Sequence, residues 1–330
     1  MDTGQMKKES LNIANCIEID KDKAKSFLYK KGFYRQPGLS LEKWKQDNTN
    51  EYFAGYIEKN KFSYLGILNL KLKRHKYGIN IFDNGDKYIG CFSNDKREGN
   101  GVYIHPTLDG KETYNTELFM GNWKENMKFS NGVYVWLKES KELENYENAN
   151  LDCFLGEVDQ DFMKRGFYLS KVNKKSYAYF GKFDQNGTKN DNKAYFYDYS
   201  NGKVFCGKIQ DNKFRSGYLL IEDKKENSQK LIYLEFDDLD NISGHVVHDK
   251  IEENVREEFI RKMNIFKKTL NKEDYFSIVY NKVSEIRKYS ATKQIDVSLL
   301  NDENEYKNLV EISNLHATIN LYSILENIEL

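Results

Sequence analysis

Proline is nearly absent, with two residues in 330, and neither glycine nor proline occurs after Gly244. A long stretch free of both breakers favours helix, so the last 86 residues read as a helical region. No apolar run approaches the ~20 residues that a membrane-crossing helix requires, and the first residues, Met1-Asp2-Thr3-Gly4-Gln5-Met6-Lys7-Lys8, lack the apolar centre of a secretory signal. The expectation is a soluble, cytoplasmic chain. Lys plus Arg equals Asp plus Glu at 51 each, so no net field draws the chain to nucleic acid, and a membrane surface is not an expected partner. Four cysteines (Cys16, Cys91, Cys153, Cys206) form no CxxC pair and read as free thiols in a reducing compartment.

Catalytic signatures are missing too. The chain has no phosphate-binding Walker loop, no dinucleotide glycine fingerprint after a strand, no Gly-x-Ser-x-Gly elbow and no kinase motif set. Among five histidines only His245 and His248 lie close enough to share a helical turn, and no cysteine lies near them in sequence. The acidic runs Glu235–Asp240 and Asp184–Gly187 lack the glycine and closing glutamate of a calcium loop. The expectations are therefore no enzyme, no catalytic residue, no cofactor and no metal. The basic run Lys71-Leu72-Lys73-Arg74-His75-Lys76 reads as a solvated turn.

What the chain does have is a repeat. An aromatic residue, a glycine two positions on and an apolar residue two further recur as Phe53/Gly55/Ile57, Tyr64/Gly66/Leu68, Tyr88/Gly90/Phe92, Phe119/Gly121/Trp123, Phe154/Gly156/Val158, Tyr179/Gly181/Phe183 and Phe205/Gly207/Ile209. Period two is strand spacing. A second glycine follows about eleven positions later in several units, as Gly101 follows Gly90, and polar segments such as Ser93-Asn94-Asp95-Lys96 lie between. Each unit is thus a strand, a tight turn and a returning strand. A glycine between two bulky same-face residues implies that neighbouring rings fold over it.

The pattern resembles the MORN repeat, of rough form Tyr-x-Gly-x-Phe/Trp, a polar turn with Lys or Arg, then Gly-x-Gly-x-Tyr. Tyr88 to Tyr103 holds every element, including Lys96-Arg97 before Gly99; Phe119 to Tyr134 is next, with Ser130 in place of the first glycine of the pair; the units at 154, 179 and 205 are degenerate. The resemblance spans roughly residues 51–222. It implies a mainly β fold with some α: an elongated single-layer antiparallel sheet of hairpins, followed by the helical region. Three segments are expected: an N-terminal extension over 1–50 with a short helix near 20–31, the repeat sheet over 51–244, and helices over 245–330. Within the last segment, apolar residues at helical spacing outline a helix from Ile251 to Leu270, a second beginning after a cap at Asn271, and a third over 301–327.

One sheet cannot cover both of its faces, so the resemblance also implies a groove lined by the repeated aromatics. The C-terminal helices are expected to cover part of it, leaving the remainder for an amphipathic helix or extended peptide of a protein partner. Tyr88, Phe92, Phe119, Trp123, Tyr134 and Trp136, from the best-formed units, are the expected partner-binding residues. The implied function is a non-enzymatic scaffold or adaptor, with a cytoskeletal or ciliary assembly as the leading setting. Abundant Asn, Lys, Ile and Tyr suggest an AT-rich coding genome, which leans the same way. A phospholipid-associated adaptor and an accessory subunit of another large complex are the alternatives. The sequence leaves partner identity and oligomeric state open.

Overall fold

The computed structural model describes residues 52–59, 61–69, 71, 73–106, 116–138, 149–223, 228–238, 241–247, 252–271 and 274–290. The expected N-terminal helix and the third C-terminal helix lie outside the described residues. The remainder is mainly antiparallel β followed by helix, as the repeat spacing implies. The chain divides into two units, the first holding residues up to Pro106 with Leu118–Met127, the second holding Lys128–Ser284.

In the first unit β1 (Tyr52–Lys59), β2 (Phe62–Asn69), β3 (Arg74–Phe82), β4 (Lys87–Ser93) and β5 (Lys96–Pro106) each pair antiparallel with the next strand in sequence. The register is set by glycine. Gly55 faces Gly66, Gly66 faces Gly78, Gly78 faces Gly90, and Gly90 faces Gly101. β6 (Thr116–Lys124) follows in chain order.

The second unit holds β7 (Met127–Lys138), β8 (Asn150–Asp159), β9 (Phe162–Val172), β10 (Lys175–Lys182), β11 (Asp191–Asp198), β12 (Lys203–Gln210), β13 (Lys213–Asp223), β14 (Ser228–Phe236) and β15 (Ile242–Val247), again paired in sequence order. The glycine row recurs as Gly132, Gly156, Gly166 and Gly181, and again as Gly207 opposite Gly217. The units read as degenerate in sequence are therefore regular hairpins. Strand structure runs to Val247, three residues past the expected limit at Gly244, which puts His245 opposite Leu234 on a strand rather than on a helical turn; His248 lies outside the described residues.

Two helices close the described chain: α1 (Glu253–Leu270) and α2 (Tyr275–Ser290). Met263, Phe266 and Leu270 are buried, whereas Val255 in the first turn is exposed. The expected cap of α2 is corrected. The Asn271 side chain instead pairs with the Tyr197 hydroxyl, and Asp274 Oδ1 accepts the Ser277 N–H at 3.1 Å, the N-cap geometry.

α1 packs on the face of the second unit opposite the glycine row. Side chains alternate along a strand, so Phe154, Gly156 and Val158 share one face while Cys153 and Leu155 share the other. On that second face the Phe266 ring lies 6.0 Å from Phe167 and 5.4 Å from Tyr195, and the Phe259 ring lies 5.1 Å from Tyr218. The expectation that the C-terminal helices cover the aromatic groove is thus not met by α1. The physical reason is room: the glycine face is filled by its own rings, while Cys153, Ala178 and Cys206 leave the opposite face shallow enough for Phe266 to seat.

Candidate functional site

Three local devices recur among the repeats. The first is the aromatic laid over glycine. A side chain at Gly101 would strike the Tyr88 ring, and one at Gly217 would lie 2.6 Å from Phe205 Cζ. Tyr88 and Phe92 meet edge to face at 5.0 Å, Phe119 and Trp123 at 5.4 Å, Tyr179 and Phe183 at 5.3 Å, an arrangement worth ~0.5–1.5 kcal/mol per pair beyond area burial.

The second device is the turn. Asn94-Asp95, Glu125-Asn126, Gln160-Asp161, Asn173-Lys174 and Asp211-Asn212 all have both residues at positive φ, the two-residue turn whose twist matches a hairpin.

The third device links one hairpin to the next, and the sequence did not reveal it. In the first unit the Asp95 N–H donates to the Arg74 carbonyl (2.9 Å) while Asp95 Oδ1 accepts the Arg74 N–H (2.9 Å); Asn126 and Arg97 repeat this at 3.1 and 2.8 Å. In the second unit Asp161 does so with Lys128 and Asn212 with Lys189. The turn side chain stands in for a missing strand partner. The basic residue then extends over the rings: the Arg97 guanidinium lies 4.2 Å from the Trp123 ring centroid, and Lys189 Nζ 4.4 Å from that of Tyr168. Arg74, expected in a solvated turn, is instead stacked on Phe62 and Phe92 and bonded to Asp95 and Asn80.

These devices decide where the six expected partner-binding rings sit. Tyr88, Phe119, Trp123, Phe92 and Tyr134 are buried at 0, 1, 3, 4 and 5% exposure, whereas Trp136 is half-buried. Tyr88, Phe92, Phe119 and Trp123 belong to the first unit, where the Trp123 indole N–H donates to the Gly101 carbonyl at 3.3 Å. Tyr134 and Trp136 belong to the second unit. The Tyr134 hydroxyl donates to the Asp161 carbonyl at 2.8 Å, and burial, with the Asp161 carboxylate nearby, pushes its phenol well above its ordinary pKa.

Trp136 opens a strip of stacked and tilted rings on the glycine face of the second unit. Tyr134 and Trp136 stack at 5.4 Å with planes 2° apart; Trp136 and Tyr168 lie 6.5 Å apart, Tyr168 and Tyr177 6.4 Å, Tyr177 and Phe196 5.1 Å. Trp136, Tyr168, Tyr177 and Phe196 are all half-buried. This strip is the candidate site. Tyr168, Tyr177 and Phe196 went unremarked in the sequence because they lie outside the best-formed units, yet a signal was there: Trp136 stands two after Tyr134 and Tyr177 two before Tyr179, on the same face. Chemically the strip offers flat apolar surface with phenol groups, and burial raises the pKa of Tyr179 beside it. That suits docking rather than proton transfer.

Comparison with known proteins agrees with the hairpin reading. The MORN repeat family model matches residues 88–109 and 119–137. An inactive protein tyrosine kinase, pTKL, of Plasmodium falciparum (isolate 3D7) is 30% identical over 82 residues, covering 25% of this chain and 5% of that protein; its namesake in Plasmodium berghei (strain Anka) is 38% identical over 53 residues, covering 16% and 4%. This chain therefore matches about a twentieth of the length of these curated relatives. Residues 88–109 and 119–137 are MORN repeats, and hairpins of the same plan continue on either side of them.

Proposed function

We propose that this chain is a scaffold or adaptor that docks a protein partner on the half-buried aromatic strip of its second unit. MORN repeats are a scaffold and adaptor type of domain and are not catalytic. The observation that carries the reading is the ring strip from Trp136 to Phe196, half-buried on the face that α1 leaves alone. Large rings with few rotamers are the side chains most often found as binding anchors. The strip suits an amphipathic helix or extended peptide laid across the strands. Of the six residues expected from sequence, Trp136 keeps that role; Tyr134, buried in the same unit, stacks against it, and Tyr88, Phe92, Phe119 and Trp123 are core of the first unit. We infer a cytoplasmic assembly, cytoskeletal or ciliary, in line with the resemblance. The names of the Plasmodium relatives add a parallel, since a protein named an inactive kinase fits a non-enzymatic role here as well.

The experiment compares Trp136→Ala with Trp123→Ala in thermal unfolding and in partner capture from native extract. Loss of capture in Trp136→Ala at unchanged melting, with early unfolding of Trp123→Ala, supports the reading. Full capture by a folded Trp136→Ala protein removes it.

A further inference from the structure

The ring strip is bordered by cations. Pairing registers place Lys138 two residues beyond Trp136 on the glycine face, Lys175 two before Tyr177, and Lys203 two before Phe205. All three are exposed, and among the described residues none of them is in an ion pair. Lys189 adds a fourth positive charge directly over Tyr168, at 4.4 Å from the ring centroid.

The acids of the same face do not balance this edge. Asp152 is buried at 5% exposure, paired in register between Trp136 and Ser170. Asp198 is committed to its own turn, accepting from the Ser200 N–H and hydroxyl and from Asn201 Nδ2. Asp191 accepts backbone N–H groups of Lys182 and Lys193. Hydrogen bonding leaves these carboxylates charged, and Asp198 stands opposite Lys203 in register, but the exposed Lys138, Lys175 and Lys203 outnumber it while Asp152 is buried, so the margin carries net positive charge although the chain as a whole is neutral.

We infer that the partner segment laid on this strip is acidic on the side facing the Lys138–Lys175–Lys203 margin: an amphipathic peptide with an apolar face for the rings and Asp or Glu flanking it. The inference rests on the docking reading above and adds the chemistry that selects the partner. Rim charges of this kind contribute mainly to encounter rate and to choice among partners, whereas the rings hold what has docked.

Two fluorescein-labelled helical peptides of 18 residues test it, both with the same Leu and Phe stripe, one with a Glu polar face and one with a Lys polar face. Each is titrated by anisotropy against the full chain, at low salt and again near 0.5 M. The Glu peptide should bind about tenfold more tightly at low salt, with the gap closing as salt screens the margin. Lys138→Glu/Lys175→Glu/Lys203→Glu should reverse the preference while Trp136→Ala weakens both peptides, and far-ultraviolet circular dichroism should confirm that the variants stay folded. Equal binding of both peptides, or an unaltered preference in the triple variant, overturns the charge inference alone. Failure of both peptides to bind overturns the docking reading beneath it. Phosphatidylserine vesicles that sediment the chain, where neither peptide binds, would reassign the margin to a membrane surface and overturn both.

Discussion

The Tyr88 hydroxyl reaches past Gly90 to donate to the carbonyl of Cys91 at 2.9 Å, and Tyr179 does the same past Gly181 to Lys182 at 2.7 Å. In the first hairpin the ladder register shifts between Gly90 and Phe92, so the hydroxyl bonds a carbonyl at the point where strand pairing is irregular. The glycine is there so that the ring can cross it. A side chain at Gly90 would meet the Gly101 Cα, the Asn100 carbonyl oxygen at 2.6 Å and the Tyr88 hydroxyl at 2.7 Å, and two of those three are backbone that cannot swing aside. Gly90→Ala should therefore destabilise the chain by about 1–3 kcal/mol or more, as overpacking does. Urea unfolding measures it, and a loss under ~0.5 kcal/mol would show that the sheet can open at this row.

The one departure from the repeat pattern in the second family match predicts the opposite sign. Ser130 stands where the first match has Gly99, and both are left-handed, at φ 63° and 86°. A serine held there is strained by ~1–2 kcal/mol relative to glycine, part of which glycine returns as chain entropy. Ser130→Gly should raise stability by roughly 0.5–1 kcal/mol, read as a higher urea midpoint at unchanged slope.

The turn-to-hairpin link should be measurable at Asp161. Asp161→Ala leaves the Lys128 N–H without the oxygen that accepts it at 2.9 Å, at a cost of ~1 kcal/mol. Asp161→Asn keeps an oxygen at that place, as Asn126 and Asn212 do in their own turns, and should hold stability near the parent. Equal losses in both variants would mean that charge, and not the acceptor, is what matters at Asp161.

Lys87 is buried at 3% exposure, and burial brings its ammonium down to a pKa of about 8. Between pH 8 and 10.5 the unfolded chain holds a proton at this lysine that the folded chain has shed, so Lys87 makes stability rise with pH across that window. Buried cysteines and tyrosines, whose pKa values burial raises, lose protons from the unfolded chain within the same window and contribute with the opposite sign, so the test is a difference. The stability of the parent minus that of Lys87→Met should climb from pH 8 to 10, and a flat difference would show that the ammonium is solvated in the fold.

Thiol chemistry separates the cysteines. Burial raises all three described thiols; Cys153 and Cys206 are buried, with Cys206 pushed up to about 11, while Cys91 is half-exposed. The thiolate is the reactive form. Iodoacetamide at pH 8 followed by peptide mass spectrometry should label Cys91 ahead of Cys153 and Cys206.

Much of this architecture was legible in the sequence. Period-two aromatics around glycine identify strands, and the breaker-free tail identifies helix, because both signals are local. The face that receives α1 was not legible, since it depends on which side of the sheet has room, and that is settled by Cys153, Ala178 and Cys206 lying far apart in sequence. Nor was the fate of the six rings. The best-formed units close over their own glycines and bury Tyr88, Phe92, Phe119 and Trp123, so regularity in the repeat marks core, and the half-buried rings stand one row away, at Trp136 and Tyr177. The cap of α2 was displaced for a similar reason: Asn271 finds the Tyr197 hydroxyl, 74 residues distant.

The docking claim is tested most directly by the double variant Trp136→Ala/Tyr177→Ala, assayed side by side with the parent for melting temperature and for the set of proteins each retains from native extract. The account predicts melting within a few degrees of the parent, because both rings are half-buried, together with loss of the retained partner. Retention of that partner at full strength by the folded double variant would contradict it.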